Sequence, residues 1–337
     1  MEERFSDLSP VSFIEYETIG RLAFWFFGPS ANVELREKIR KKSTGYMLPF
    51  SGNDFYRFLL ERNREEYERK IHKIRHILSM LERSGILQNM GRSTGAYLAN
   101  TYFSLKELTT LQKQNCLWLG DAFGFSYLQK KLKGNVVHIT GHGKDERIGN
   151  GTGFLINSKT VLTCKHVIQD MEPDEVICIL GKEYSYSTAV HESLDIALLH
   201  LSEAVSGIVT FPALNDADIL DEVLTMGYPP IPGSAHDYLL SQKGEVNSVV
   251  YDFLSKSNNL VLSSITRPGN SGGPVISRNG YLVGMVTQYN ENRLLGETPT
   301  EEEKDHFPFY MAMQGKALYD GIKEIDPEND VFFEDYQ

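Results

Sequence analysis

Three short segments of the sequence contain the residue types that a serine-based acyl transfer requires. His166 ends the run Val161-Leu-Thr-Cys-Lys-His166, Asp195 precedes Ile-Ala-Leu-Leu, and Ser271 lies within Gly269-Asn-Ser-Gly-Gly-Pro. Hydrolysis of an amide without a metal needs a nucleophile, a base that takes its proton, a group that orients the base, and donors for the oxyanion. A serine, a histidine, an aspartate and a glycine-rich loop can supply these four parts.

Each of these residues also has a structural interpretation. A histidine near the end of a strand is often a hydrogen-bonded structural residue, an aspartate before an apolar run can cap a strand, and Gly-Asn-Ser-Gly-Gly can be an ordinary loop. The three motifs occur in the order His, Asp, Ser, with separations of 29 and 76 residues, and this combination favours a catalytic set. His142 and His191 have no such motif around them and are interpreted as structural, and Cys164 is interpreted as a core residue.

The motifs resemble those of the trypsin-like (chymotrypsin-fold) serine peptidases, in particular the bacterial HtrA/Deg branch, which has Gly-Asn-Ser-Gly-Gly-Pro around the serine and Leu-Thr-x-x-His-Val around the histidine. The resemblance covers about residues 135–315. It implies that Ser271 is the nucleophile, His166 the general base and Asp195 the residue that orients the histidine. It also implies an oxyanion hole formed by the backbone amides of Gly269 and Ser271.

The same resemblance implies where a substrate side chain would bind. The stretch before the serine and the later strands would border the pocket, so the predicted substrate-binding residues are Ile265, Thr266, Val286, Thr287 and Gln288. Position 265 is an isoleucine and not an aspartate, so small or medium apolar side chains are the expected preference. No PDZ domain is expected after the protease, because few residues follow its last predicted strand.

The predicted elements divide the chain into two domains, residues 1–133 and 134–337. The first is predicted to be mainly helical, with a helix from about residue 65 to residue 83 and a hairpin over about 86–105; this order resembles a winged-helix domain over about residues 50–110. From residue 135 onward, short β-branched runs separated by turn residues predict an all-β sandwich or barrel, and the resemblance to the trypsin-like peptidases implies a double β-barrel. The fold class is therefore multidomain α+β, a helical winged-helix-like domain followed by a double β-barrel trypsin-like protease domain.

Charge and composition limit the partners. Residues 1–134 contain 21 Lys and Arg against 15 Asp and Glu, a net charge of +6, which leaves 13 against 30, a net charge of −17, for the rest. The first domain is therefore a candidate for contact with nucleic acid or with a protein partner. The basic residues singled out for such contact are Arg69, Lys70, Lys73, Arg75 and Arg92.

Three further expectations concern the setting of the protein. No apolar run is long enough for a membrane span, and no membrane partner is expected. The three widely spaced cysteines and the acidic N-terminus, which does not resemble a secretion signal, predict a cytoplasmic protein without disulfides. No cofactor and no metal is expected, since no linear Cys/His spacing fits a zinc site. The expected function is that of a serine endopeptidase, and its expected partner is a protein or peptide substrate. The alternative functions are a nucleic-acid-binding regulator or a protein-interaction adaptor that uses the protease fold as a scaffold.

Overall fold

The chain divides into two compact units, Met1–Tyr127 and Leu128–Gln337. The computed structural model describes residues 9–31, 35, 48–94, 97–143, 148–207, 210–253, 256–287 and 309–335. The predicted order of a helical part followed by a β-rich part is confirmed.

The first unit combines helices with a small antiparallel sheet. Its helices are α1 (Phe13–Phe26), α2 (Gly52–Arg62), α3 (Arg64–Tyr67), α4 (Ile71–Arg83), α5 (Thr110–Asn115) and α6 (Gly120–Phe123), with a 3₁₀ turn at Leu117–Leu119; α7 (Phe125–Leu132) follows. Strands β1 (Phe50–Ser51), β2 (Gln88–Arg92) and β3 (Asn100–Phe103) pair in the order β1-β3-β2. The winged-helix resemblance stays a prediction.

Local sequence signals explain how two of these helices begin. The hydroxyl of Ser12 accepts a bond from the backbone of Glu15, and the Glu15 carboxylate accepts one from the backbone of Ser12. Ser51 and Asp54 form the same reciprocal pair at the start of α2. Each pair satisfies two backbone donors that a helix end otherwise leaves without partners.

The prediction of one helix from about residue 65 to residue 83 is wrong. The side chain of Asn63 caps the short helix α3. The backbone N–H of Lys70 then bonds to the carbonyl of Tyr67 at 3.0 Å, which closes a turn before α4 begins. The apolar stripe that prompted the prediction is buried in α4 at Ile74, Leu78 and Leu81.

The second unit consists mainly of strands. The strands of its first half are β4 (Val136–Gly143), β5 (Ile148–Leu155), β6 (Thr160–Thr163), β7 (Met171–Pro173), β8 (Val176–Ile179), β9 (Lys182–Val190) and β10 (Ala197–Leu201). They form a seven-stranded sheet in the order β7-β4-β5-β6-β10-β9-β8. A short helix, α8 (Lys165–Gln169), lies between β6 and β7.

The second half of this unit is a closed barrel. Its strands are β11 (Glu222–Gly227), β12 (Leu240–Asp252), β13 (Ser257–Leu262), β14 (Pro274–Ser277), β15 (Leu282–Thr287) and β16 (Tyr310–Gln314), in the order β11-β12-β13-β16-β15-β14. Helix α9 (Gly315–Ile325) follows β16 directly. The predicted fold is confirmed in a two-barrel-like form, with a seven-stranded half-barrel sheet followed by a closed six-stranded barrel. None of the helices in the described part of the chain has the length and apolarity needed to cross a bilayer.

Candidate active site

His166 lies where the chain leaves the core of the first sheet. Strand β6 is buried along its whole length, and α8 begins two residues after its end. The Nδ1 atom of His166 is 2.8 Å from Oδ2 of Asp195, and the His166 backbone N–H donates to Oδ1 of the same carboxylate at 3.0 Å. Because a carboxylate only accepts, Nδ1 carries a proton, so the neutral form of the ring is the tautomer with its lone pair on Nε2.

The Asp195 carboxylate is held as an anion in this arrangement. Burial opposes its charge, but the hydrogen bond from the His166 ring, the charge of that ring when it is protonated, the hydroxyl of Thr287 and the backbone N–H of His166 keep the pKa of Asp195 below its usual range. The Thr287 hydroxyl donates to Oδ2 at 2.6 Å. Thr287, which the sequence assigns to the substrate pocket, thus has its hydroxyl engaged by the carboxylate.

Hydrogen bonds of the Lys165 and His191 side chains fix the loop before Asp195. The ammonium of Lys165 donates to the carbonyls of His191 and Glu192, both at 2.8 Å. The Nδ1 atom of His191 accepts from the backbone N–H groups of Ser193 and Leu194, so its Nε2 carries the proton and donates to Glu324 of α9 at 2.8 Å. His191 therefore serves a structural purpose: it shapes the loop that carries the aspartate.

The residues before Ser271 form a turn that only glycine allows. Gly269 has a φ of +96°, Pro268 precedes it, and the backbone N–H of Asn270 bonds to the carbonyl of Arg267 at 2.9 Å. These are the marks of a type II turn, in which the third residue needs a positive φ. A type I turn would reverse the central peptide, which contains the Gly269 N–H, so the glycine decides where this donor points. A Cβ at Gly269 would also lie 2.6 Å from the carbonyl oxygen of Tyr228.

Backbone contacts fix Ser271 between three strands. Its carbonyl accepts from the N–H of Thr152 in β5 at 2.9 Å, and the N–H of Gly272 donates to the carbonyl of Val286 in β15 at 2.8 Å. A Cβ at Gly272 would lie 2.0 Å from the carbonyl of Thr152 and 2.4 Å from the hydroxyl of Thr163, the last residue of β6. The serine is thus packed against β6, which leads to His166, and against β15, which ends at Thr287. Its side chain is half-buried.

Thr152 is a functional residue to which the sequence analysis assigns no role. Thr152 is fully buried. Its hydroxyl donates to the carbonyl of Gly269 at 2.6 Å and accepts from the N–H of Tyr228 at 2.9 Å. Its carbonyl accepts from the hydroxyl of Thr163 at 2.7 Å, while its N–H holds Ser271. One residue therefore links three parts of the site: its hydroxyl holds the turn at Gly269, its backbone N–H holds Ser271, and its carbonyl holds the strand that precedes the histidine. The only sequence signal was its place between two glycines at the start of a predicted strand.

Thr152→Val is expected to lower kcat at least about tenfold while KM changes less. The isosteric valine cannot hold the Gly269 carbonyl, so the Gly269 N–H, which the resemblance predicts to be an oxyanion donor, loses its fixed direction. Thr152→Ser keeps the hydroxyl and should restore most of the loss. The matched control is Thr160→Val, which removes a buried hydroxyl that bonds to Asn329. Steady-state kinetics on a peptide substrate measure the effect. A Thr152→Val enzyme with parental kcat would remove the positioning role.

The predicted pocket residues do not share one environment. Ile265 is 46% exposed and Thr266 is half-buried, whereas Val286 is buried and its carbonyl accepts from the Cys164 thiol at 3.3 Å. Gln288 lies outside the described residues. The apolar preference thus stays a prediction that rests mainly on Ile265.

The basic residues of the first unit are only partly available for a partner. The ammonium groups of Lys70 and Lys73 each lie 3.1 Å from the Glu15 carboxylate, and Lys73 is buried. Although burial opposes the charge, the capping bond and the two lysines lower the pKa of Glu15 to about 2. Arg75 lies over the ring of Tyr97. Of the five residues singled out, Arg69, Arg75 and Arg92 are exposed. The basic face is therefore smaller than the sequence indicates.

Comparisons with known proteins agree with the second unit's fold and motifs. The chain is 23% identical over 171 residues to the probable periplasmic serine endoprotease DegP-like of Chlamydia trachomatis, a match covering 48% of this chain and 34% of that protein. It is 30% identical over 152 residues to the magnetosome formation protease MamE of Magnetospirillum gryphiswaldense, covering 42% of this chain and 19% of the other. The chain thus spans about a third or less of the length of these curated relatives.

Two solved structures are also similar. The serine endoprotease of Yersinia pestis is 18% identical with a TM-score of 0.46, over 60% of this chain and 66% of that chain. The active form of the Rv3671c protease of M. tuberculosis is 17% identical with a TM-score of 0.45, over 59% of this chain and 84% of that chain. Residues 151–285 match the family described as the trypsin-like peptidase domain. His166, Asp195 and Ser271 all lie within the residues that match this family.

Proposed function

We propose that the protein is a serine endopeptidase that hydrolyses peptide bonds through His166, Asp195 and Ser271. The observation that carries the proposal is the two-point contact between His166 and Asp195, which orients the ring and favours the neutral tautomer whose lone pair is on Nε2. A histidine in this state can take the proton of a serine hydroxyl. Ser271 is the candidate for that hydroxyl because of its place in the Gly269–Gly273 loop beside β6.

In the proposed reaction, Ser271 Oγ attacks the carbonyl carbon of the substrate while its proton passes to Nε2 of His166. The negative charge that develops on the substrate oxygen is stabilised by the N–H groups of Gly269 and Ser271, and loss of one such donor costs about two to three powers of ten in turnover. The histidine then gives its proton to the leaving amine, which departs and leaves an acyl-serine. Water, activated by the same histidine, releases the acid and restores the serine.

Hydrolysis of an unfolded protein substrate, such as reduced casein, tests this function on the full chain. We expect internal cleavage, seen as new N-termini by mass spectrometry, with small or medium apolar residues before the cut because of Ile265. Absence of any new N-terminus, from a chain that circular dichroism shows to be folded, would contradict the proposal. Cleavage only after Lys or Arg would contradict the predicted preference alone.

We further propose that the first unit regulates the protease toward a dedicated protein substrate and does not complete its active site. All the proposed catalytic residues lie after residue 150, and the two parts of the chain carry opposite net charges. In the casein assay, a fragment that begins at Phe125 should cleave at least as fast as the full chain. A folded but inactive fragment would show that the first unit is needed to build the site.

We also propose a protein partner for the first unit and a reducing compartment for the protein. The Lys70 and Lys73 contacts with Glu15 reduce the basic face available to nucleic acid, so a protein partner is the better-supported input for the first unit. None of the three cysteines, all within the described residues, forms a disulfide. This supports a reducing compartment such as the cytoplasm.

A further inference from the structure

A thiol lies beside the histidine and the aspartate of the proposed active site. Cys164 Sγ, a ring nitrogen of His166 and a carboxylate oxygen of Asp195 all lie within 4.8 Å of one another. Cys164 is fully buried, whereas the side chains of His166 and Asp195 are 23% and 28% exposed. A small cation can therefore approach the group from the side of the histidine. The sequence did not indicate this group because Asp195 is 29 residues away from His166 along the chain.

These three donors form a set that suits zinc. Zinc binds cysteine sulfur at about 2.3 Å, histidine nitrogen at about 2.0–2.1 Å and carboxylate oxygen at about 2.0–2.2 Å in tetrahedral geometry. Ligand atoms around such an ion are about 3.2–3.7 Å apart, as follows from those bond lengths. The three atoms are already close to this spacing, so a shift of about 1 Å or less at each side chain would complete the triangle. A fourth position would face solvent.

The charges of an occupied site also balance. The thiol loses one proton to solvent, so a thiolate and a carboxylate neutralise the two charges of Zn²⁺. The imidazole stays neutral, because its proton moves from Nδ1 to Nε2 when Nδ1 binds the metal. Without a metal the thiol keeps its proton and donates it to the carbonyl of Val286 at 3.3 Å. A net neutral complex is the kind of charge state that a largely buried position tolerates.

We propose that Cys164, His166 and Asp195 form an inhibitory zinc site. The metal would take the Nδ1 lone pair, and the proton on Nε2 would then prevent His166 from accepting the proton of Ser271. Thr287 can keep its bond to the carboxylate, which still has acceptor positions. The inhibitory consequence rests on the proposed peptidase function, but binding of the metal does not.

Binding is tested with Co²⁺ as the probe, because cobalt bound to a thiolate has a charge-transfer absorption in the near ultraviolet. The full chain is titrated with CoCl₂ after removal of metals by EDTA. The parental protein and Cys178→Ala, which removes an exposed cysteine outside the cluster, should both show the band at one equivalent. Cys164→Ala and Cys164→Ser should lose it, and Zn²⁺ should displace it in the parental protein. No band in the parental protein, or a band that persists in both Cys164 variants, would overturn the site.

Inhibition is tested by casein hydrolysis over a range of free Zn²⁺. We expect chelator-reversible inhibition of the parental enzyme, and at least about a tenfold higher inhibitory concentration for Cys164→Ala and Cys164→Ser, with little change in rate in EDTA. Equal inhibition of the parental protein and both variants would show that zinc acts elsewhere. A cobalt band in a chain without hydrolytic activity would contradict the peptidase proposal but support the metal site. Normal hydrolysis without a cobalt band would support the peptidase proposal but contradict the metal site.

Discussion

Replacement of Ser271 by alanine is expected to abolish peptide hydrolysis, with a fall in kcat/KM of at least about a thousandfold. Alanine retains the backbone N–H of residue 271 and leaves Gly269 in its turn, so the oxyanion donors survive. What is lost is the nucleophile, and with it the acyl-enzyme route; binding and the oxyanion hole alone give only a small residual rate. The measurement is initial-rate kinetics on a fluorogenic peptide derived from a mapped casein cut.

The control for this variant separates chemistry from folding. Ser271→Ala should keep the parental circular dichroism spectrum and Tm, because the contacts that fix this position come from backbone groups of Thr152 and Val286. Ser202→Ala, at an exposed serine just after β10, makes the same chemical change away from the site and should keep full activity. A Ser271→Ala protein that cleaves at near the parental rate would remove the nucleophile assignment.

Asp195→Asn is expected to lower kcat by about three to four powers of ten while KM stays within a few fold. The carboxylate accepts from the ring and the backbone of His166 and from the hydroxyl of Thr287. An asparagine must present its NH₂ group to one of these donors, and the arrangement that avoids the clash is the histidine tautomer with Nδ1 as acceptor and Nε2 protonated. That tautomer cannot take the serine proton.

Kinetics with kcat and KM determined separately are the required measurement for Asp195→Asn. Asp170→Asn is the matched control, since Asp170 is the exposed residue that ends α8 on the same segment as His166. Normal turnover by Asp195→Asn, together with a crippled Asp170→Asn enzyme, would show that a different acid orients the histidine.

The all-β character of the second unit could be predicted from local sequence because most of its strands are β-branched runs separated by turn residues, whereas its two-barrel fold is implied only by the resemblance of the His, Asp and Ser motifs. The loop at Ser271 could be predicted for a related reason: the positions of Gly269 and Gly272 tolerate no Cβ, so the requirement appears directly in the sequence. The break between α3 and α4 could not, because the apolar spacing continues across it. There the cap at Asn63 and the turn at Lys70 decide the structure.

The remaining contacts of the site could not be predicted because they depend on which way a side chain points and on residues that are distant in the sequence. Thr287 and Val286 are neighbours at the end of β15, and successive residues of a strand face opposite sides, but the sequence does not tell which one meets Asp195. The hydroxyl of Thr152 forms its bonds with residues more than 70 positions away in the chain, so no local pattern indicates its role. Cys164 comes to Asp195 only because β6 pairs with β10, which follows the aspartate.

Labelling with a fluorophosphonate probe tests whether Ser271 is a nucleophile that His166 activates, because the probe reacts with a serine only when a neighbouring base activates it. The full chain is incubated with the probe in EDTA, digested, and analysed by mass spectrometry. We expect one modified serine, Ser271, and loss of the label in Ser271→Ala and in a His166→Ala variant. A folded chain that takes up no label, or one labelled at another serine, would contradict it.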